Sequence, residues 1–392
     1  MFKSSSLLKS LAVGLVCVSS LFAAETVLPG GLAESLREVQ QYNFAIQILA
    51  MLLVGFGFLM VFVKRYGYSA LTGTCLVVAA GIPLYLLLRS TGFLSAEPVG
   101  VHTIKGLLLA EFAVASALIA AGAVLGRIKL YHYAILAMIM IPLYMINEHL
   151  VLDGGLAITR GFTDAAGSII IHAFGAYFGL GLAVALTSKT QRETAIDADA
   201  ASNRFSMIGS MVLWLFWPSF CSAVVPAGQV AATAVNTILA LCGATAATYL
   251  CSMIFNKGKV AIADMANAAL AGGVAIGATC NVVSATTAVL IGVLAGTLCV
   301  IGYAVIQPRL QKALKIVDTC GVHNLHGMPG LLGGVAAIFV IPGIAKAQLA
   351  GIIITVVIAL VGGIAGGFII RAFGGTKKIA YDDREEFAGD EG

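Results

Sequence analysis

The 392-residue chain is 59% hydrophobic, carries 11% charged residues and has a net charge of +4, where an ordinary soluble domain is about 25% charged. No water-soluble core could bury so much apolar surface, so lipid is the solvent for most of the chain. The positive charge has no interleaved aromatic patch, which excludes a nucleic-acid surface. The eight cysteines form neither a CxxC pair nor a Cys/His cluster of zinc spacing, so they read as packing.

At the N-terminus, Lys3 and Lys9 precede a short apolar run and the small-residue end Ser19 to Ala24. That order predicts a secretory signal peptide over 1–24, cleaved after Ala23 or Ala24, because about 12 apolar residues cannot span a bilayer. Apolar runs then predict eleven spans, at about 42–63, 69–88, 104–126, 132–151, 164–187, 205–222, 229–254, 260–280, 284–307, 322–341 and 347–373. Together, 25–375 forms one all-α polytopic membrane domain. With the mature N-terminus outside, sixteen Lys and Arg fall on the inner side and five on the outer. This positive-inside bias predicts an N-out, C-in topology. The polar stretch 376–392 reads as a solvated cytoplasmic tail.

One pattern recurs along the chain. Asp164 to His172 and Asp318 to His326 both read D-x2-G-x4-H, in a protein with six histidines. Five predicted helices separate the copies, so they run in opposite directions, as in a 5+5 inverted repeat with its site at the midplane. Asp164 begins its span from the outside and Asp318 precedes its own from the inside. Eight residues of helix advance each His by about 12 Å, close to the centre of a core about 30 Å thick. Two imidazoles would then meet halfway across. A lone intramembrane His is often only a helix–helix hydrogen-bonder, but a packing residue has no reason to recur at a matching depth. Asp318 reads as a cap for its helix, and Asp164 as either a cap or a wall of the pore. His102, His132, His149 and His323, near span ends, read as interfacial.

At these residues the chain resembles the ammonium transporter/methylammonium permease/Rhesus (Amt/MEP/Rh) family, in its bacterial Rhesus-type branch. The matching stretches are Ala110-Glu-Phe-Ala-Val-Ala-Ser116 with Gly122 to Gly126, Asn147-Glu148, Asp164 to Leu180, Trp214 to Phe220, Asn267 to Gly273 and Cys320 to Gly330. The resemblance covers most of the chain after residue 100. It implies a homotrimer in the bacterial inner membrane, each subunit carrying its own pore. By position it makes Phe112 and Phe220 two stacked rings closing an outer vestibule, with His172 and His326 the twin histidines below. It also makes Asp164 a structural acid at the vestibule floor and Glu148 a carboxylate that draws in cations. One departure stands out. Amt-type members line their outer site with Trp and Ser, whereas Val224 stands here where that serine would fall, which favours a Rhesus-like conductor.

A bare cation in a narrow apolar pore carries a large desolvation penalty. Ammonium avoids it by leaving its proton behind and crossing as ammonia. A neutral imidazole suits that passage, since it accepts one hydrogen bond and donates another. The expected function is therefore ammonium/ammonia transport, with methylammonium as a related substrate and CO2 passage through the same pore as the alternative. No enzymatic activity and no cofactor are expected. A metal site would need three or four ligands, and the motif carboxylates lie about 12 Å along the helix from the imidazoles.

Overall fold

The computed structural model describes residues 30–94, 101–374 and 381–388; the signal-peptide segment 1–24 lies outside them. Every regular element among the described residues is helical. Among the described residues, those up to Tyr42 belong to one unit and those from Asn43 onward to a second.

In chain order the principal helices are α1 (Gly31–Phe62), α2 (Lys64–Ser90), α3 (Ile104–Ala123), α4 (His132–Leu152), α5 (Ser168–Leu186), α6 (Ala200–Ser222), α7 (Ala227–Phe255), α8 (Ile262–Ile276), α9 (Ala285–Leu314), α10 (residues 323–340) and α11 (Ala345–Ala372). Among the described residues nine are long and apolar enough to cross a membrane. The two predicted spans outside that group are α8 and α10, and each has a physical reason. Helix α8 is apolar but runs only from Ile262 to Ile276, too short for a span, with a 3-10 turn at Ala268–Leu270 inside it. His323, Asn324 and His326 crowd the first turns of α10 and dilute its apolar character. Polar groups placed inside a protein shorten the lipid-like signature of the helix that bears them.

Helices α3 and α5 lie innermost, with 89% of each apolar window buried, against 33% for α11. Small residues make this possible. A side chain at Gly175 would come within 2.5 Å of the Ser116 carbonyl, so the two backbones nearly touch, as small residues permit between membrane helices. Ser116 completes the seam by donating its hydroxyl to the Ile171 carbonyl at 2.9 Å. On α11, by contrast, Leu349, Ile353, Val357 and Val361 recur every four residues and are all exposed. That stripe is the face expected to meet lipid.

The tail differs from its solvated expectation. Asp383 is buried and accepts hydrogen bonds from the Tyr68 amide at 2.7 Å, the Ser69 amide at 3.1 Å and the Ser69 hydroxyl at 2.6 Å. It therefore satisfies free amides in the first turn of α2 from the far end of the chain. The Tyr381 amide adds a bond to the Gly126 carbonyl at 2.9 Å. His132, expected at an interface, is also buried: its Nδ1 accepts from the Lys129 amide and its Nε2 meets the Phe373 carbonyl at 2.9 Å.

Candidate functional site

The two D-x2-G-x4-H motifs fold alike. In the first, Asp164 Oδ2 accepts from the Ile169 and Ile170 amides at 2.8 and 2.9 Å. Gly167 turns the chain at φ +80°, and the π-helical segment Ser168–Ala173 follows. In the second, Asp318 accepts from the Val322 amide on Oδ1 and the His323 amide on Oδ2, both at 3.0 Å. Gly321 turns at φ +66°, and the π-helical segment His323–Gly327 follows. The pattern is thus a physical code. The carboxylate caps helix-start amides, the left-handed turn calls for glycine, and the histidine sits in a widened turn of the kind often found at functional sites.

The two imidazoles meet. Their Nδ1 atoms are 3.1 Å apart, and the ring planes are within 9° of parallel at a centroid separation of 5.3 Å. Both residues are buried, at 3% and 4% exposure. One Nδ1 must carry the shared proton and the other must accept it, so one ring has a donor Nε2–H and the other an acceptor Nε2.

A cavity of about 350 Å³ lies to one side of this pair, its lining including Phe112, Glu148, Asp164, Val224 and Asn281. Glu148 is buried and accepts from the Tyr85 hydroxyl at 3.0 Å. Asp164 Oδ1 is buried and finds no hydrogen-bond partner among the described residues. Between the cavity and the histidines sit Phe112 and Phe220, with centroids 4.6 Å apart. Their planes are inclined by 52°, so they are tilted and not stacked as the resemblance implied. Ring quadrupoles favour such arrangements over face-to-face contact.

Two small voids lie beside the imidazoles. One of about 10 Å³ is lined by Phe56, Leu213, Trp217, Phe220 and His172 among others. Another of about 20 Å³ borders His326, Leu118, Asn267 and Cys320. Carboxylates border the large cavity, whereas mainly apolar walls enclose the two voids beside the imidazoles. Among the described residues no group of three or more His, Cys, Asp or Glu is arranged to hold a metal.

Of the sequence-predicted residues, His172, His326, Phe112 and Phe220 come together through ring contacts, and Phe112, Glu148 and Asp164 line the large cavity. Asp318 stands apart, as a cap. His323 meets Tyr177 edge-on at 5.7 Å and lines none of these spaces. Sequence reading missed Tyr85, Asn281 and Phe56, which carry no motif of their own. Trp217 lay in view within Trp214 to Phe220, but its ring contacts are tertiary.

The sequence matches the model of the Ammonium Transporter Family over residues 14–390. It is 36% identical over 358 residues to ammonium transporter Rh type C of Rattus norvegicus, covering 82% of this chain and 70% of that protein. It is 41% identical over 295 residues to ammonium transporter Rh type B-A of Xenopus laevis, covering 73% of this chain and 62% of that protein. The solved structure of Rh50 from Nitrosomonas europaea, described as one of the Rhesus protein family of channels, superposes with a TM-score of 0.90. Its identity is 59%, and the match covers 91% of this chain and 94% of that one. A family match over nearly the whole sequence, with Rhesus-type proteins similar in both sequence and structure, leads to one conclusion: the chain belongs to the ammonium transporter family, in its Rhesus-type branch.

Proposed function

We propose that this protein conducts ammonia derived from ammonium across the membrane. The observation that carries the reading is the His172–His326 pair, joined at 3.1 Å between Nδ1 atoms in an apolar passage beyond a carboxylate-lined cavity. Glu148 and Asp164 favour a cation in the cavity, where water still solvates it. Phe112 and Phe220 close the way to anything that keeps its hydration shell. Ammonium gives up a proton to the water of the cavity at this barrier, since carrying the charge into the apolar passage costs far more than carrying the neutral molecule. The imidazole pair then offers ammonia one acceptor and one donor in turn, and Asp318 holds the start of the helix that presents His326.

The same reading has eleven spans in a 5+5 inverted repeat, N-out and C-in, with the mature chain beginning after the signal peptide. It forms a homotrimer in a bacterial inner membrane, with a pore in each subunit. The test is stopped-flow flux in proteoliposomes containing His172→Ala or His326→Ala protein. Each variant should fold and lose about tenfold or more of its ammonia or methylammonium flux, a barrier increase of about 1.4 kcal/mol or more. Unchanged flux in both would sink the proposal. CO2 permeability measured on the same vesicles separates a general gas channel from an ammonia conductor: loss of both permeabilities favours the former.

A further inference from the structure

The imidazole pair is the middle of a longer column of rings. Trp217 lies against His172 with centroids 5.7 Å apart and planes inclined by 20°. Phe56 lies against His326 at 6.2 Å and the same 20°. With the histidines themselves 9° from parallel, four rings follow in order: Trp217, His172, His326, Phe56. Three different helices, α6, α5 and α1, and the start of α10 supply them.

We infer that Phe56 and Trp217 are positioning residues, which bracket the two imidazoles and hold them in the orientation that pairs Nδ1 with Nδ1. The inference rests on the conduction reading above and deepens it. The χ2 torsion of histidine is broad and roughly two-fold. A half-turn of either ring replaces Nδ1 by a carbon, breaks the shared hydrogen bond and misdirects Nε2. The hydrogen bond disfavours that half-turn, but each ring can still roll about the bond, and an aromatic neighbour within 20° of its plane limits the roll.

Two further observations point to the face of Trp217 as the reason for its presence. Its Nε1–H is buried and finds no hydrogen-bond partner among the described residues. An orphaned buried donor is costly, so a ring without that group would fill the space at lower cost if filling were all that mattered. Gly273, in α8, also gives way to the indole. A Cβ there would lie 2.4 to 2.6 Å from the Trp217 ring atoms Cε2, Cδ2 and Nε1. Gly273 lines none of the three spaces described, yet any side chain at that position must displace the indole that lies beside His172.

That geometry supplies a test whose first variant, Gly273→Ala, changes neither a histidine nor a residue lining the three spaces. Gly273→Ala should lower the maximal ammonia flux in proteoliposomes about tenfold while leaving the half-saturating concentration unchanged, because the vestibule is intact. Trp217→Phe should retain most of the flux by keeping a flat face. The Gly273→Ala/Trp217→Phe double variant should regain flux over Gly273→Ala, since the smaller ring leaves room for the added methyl group. Phe56→Leu and Trp217→Leu should each lose flux, whereas Phe56→Tyr should keep it. His172→Ala, measured alongside, separates the two levels of the argument. If it conducts normally, the pore reading itself fails. If it is impaired while Trp217→Leu and Phe56→Leu conduct like the unsubstituted protein, only the bracket is overturned. A double variant no better than Gly273→Ala overturns it as well. Should Gly273→Ala fail to fold, the two leucine variants and their aromatic counterparts decide the question.

Discussion

The two capped turns, 164–172 and 318–326, share one local design and differ in what surrounds them. On the first, one Asp164 oxygen caps the helix while the other stays unpartnered in a residue that lines the 350 Å³ cavity. On the second, both Asp318 oxygens accept amides, and the adjoining backbone is tied down from α9: Gln307 donates to the Asp318 carbonyl at 2.9 Å, and the Asp318 amide donates to Gln311 at 2.9 Å. The void next to His326 is only about 20 Å³. An identical sequence code therefore yields a wall of the large cavity in one place and a structural clamp in the other. What a motif does locally is set by its residues; what it does for the protein is set by its neighbours.

The most severe way to break this comparison is to remove what the two turns have in common. Gly167→Ala and Gly321→Ala each force a Cβ into a left-handed conformation and to within 2.3 Å of Ile171 or Tyr303 respectively. Strain and overpacking together should cost roughly 2–5 kcal/mol at either site, read as a lower Tm of the purified protein in detergent. Equal losses at the two sites would show that the turns are equivalent as structure.

A milder change separates them as function. Asn carries no charge: at position 164 its Oδ1 can still accept both capping amides, whereas at 318 it can accept only one of the two. Asp164→Asn should lower flux about three- to tenfold, a barrier change of about 0.7–1.4 kcal/mol, whereas Asp318→Asn should stay within a factor of two or so. Equal effects on flux in the two variants would erase the distinction drawn here.

The smallest effect concerns the tail. Burial raises the Asp383 carboxyl above its ordinary range, although Ser69 and the α2 amides oppose that shift. The docked tail therefore favours the protonated acid. Its pH-dependent contribution to docking is full below the ordinary carboxylate pKa and declines as pH rises through the raised value. Limited proteolysis of the tail should be slower at mildly acidic pH than at neutral pH, and Asp383→Ala should remove that dependence.

The repeat was legible in sequence because its pattern is local, an acid, a glycine and a histidine at fixed spacing; that both acids cap and both glycines turn left-handed came from the structure. The meeting of His172 and His326 followed from helix rise and opposite chain direction. Two of the predicted spans fall outside the nine that are long and apolar enough, since α8 is short and α10 opens with three polar residues. The buried tail was misread for a related reason. Asp383 looks like any solvated acid until the first turn of α2, more than 300 residues earlier in the chain, provides donors for it.

By itself the sequence determined that this chain belongs in lipid, that it carries two copies of one capped turn, and that each copy sends a histidine inward. Those properties depend on hydrophobicity, periodicity and short-range hydrogen bonding, which neighbouring residues encode. Only the tertiary structure decided which rings face which: the 52° tilt of Phe112 on Phe220 and the bracketing of the imidazoles by Trp217 and Phe56. The room that Gly273 leaves for the indole belongs with them. Ring orientation is set by contacts among helices far apart in the chain, where spacing along the sequence carries no information.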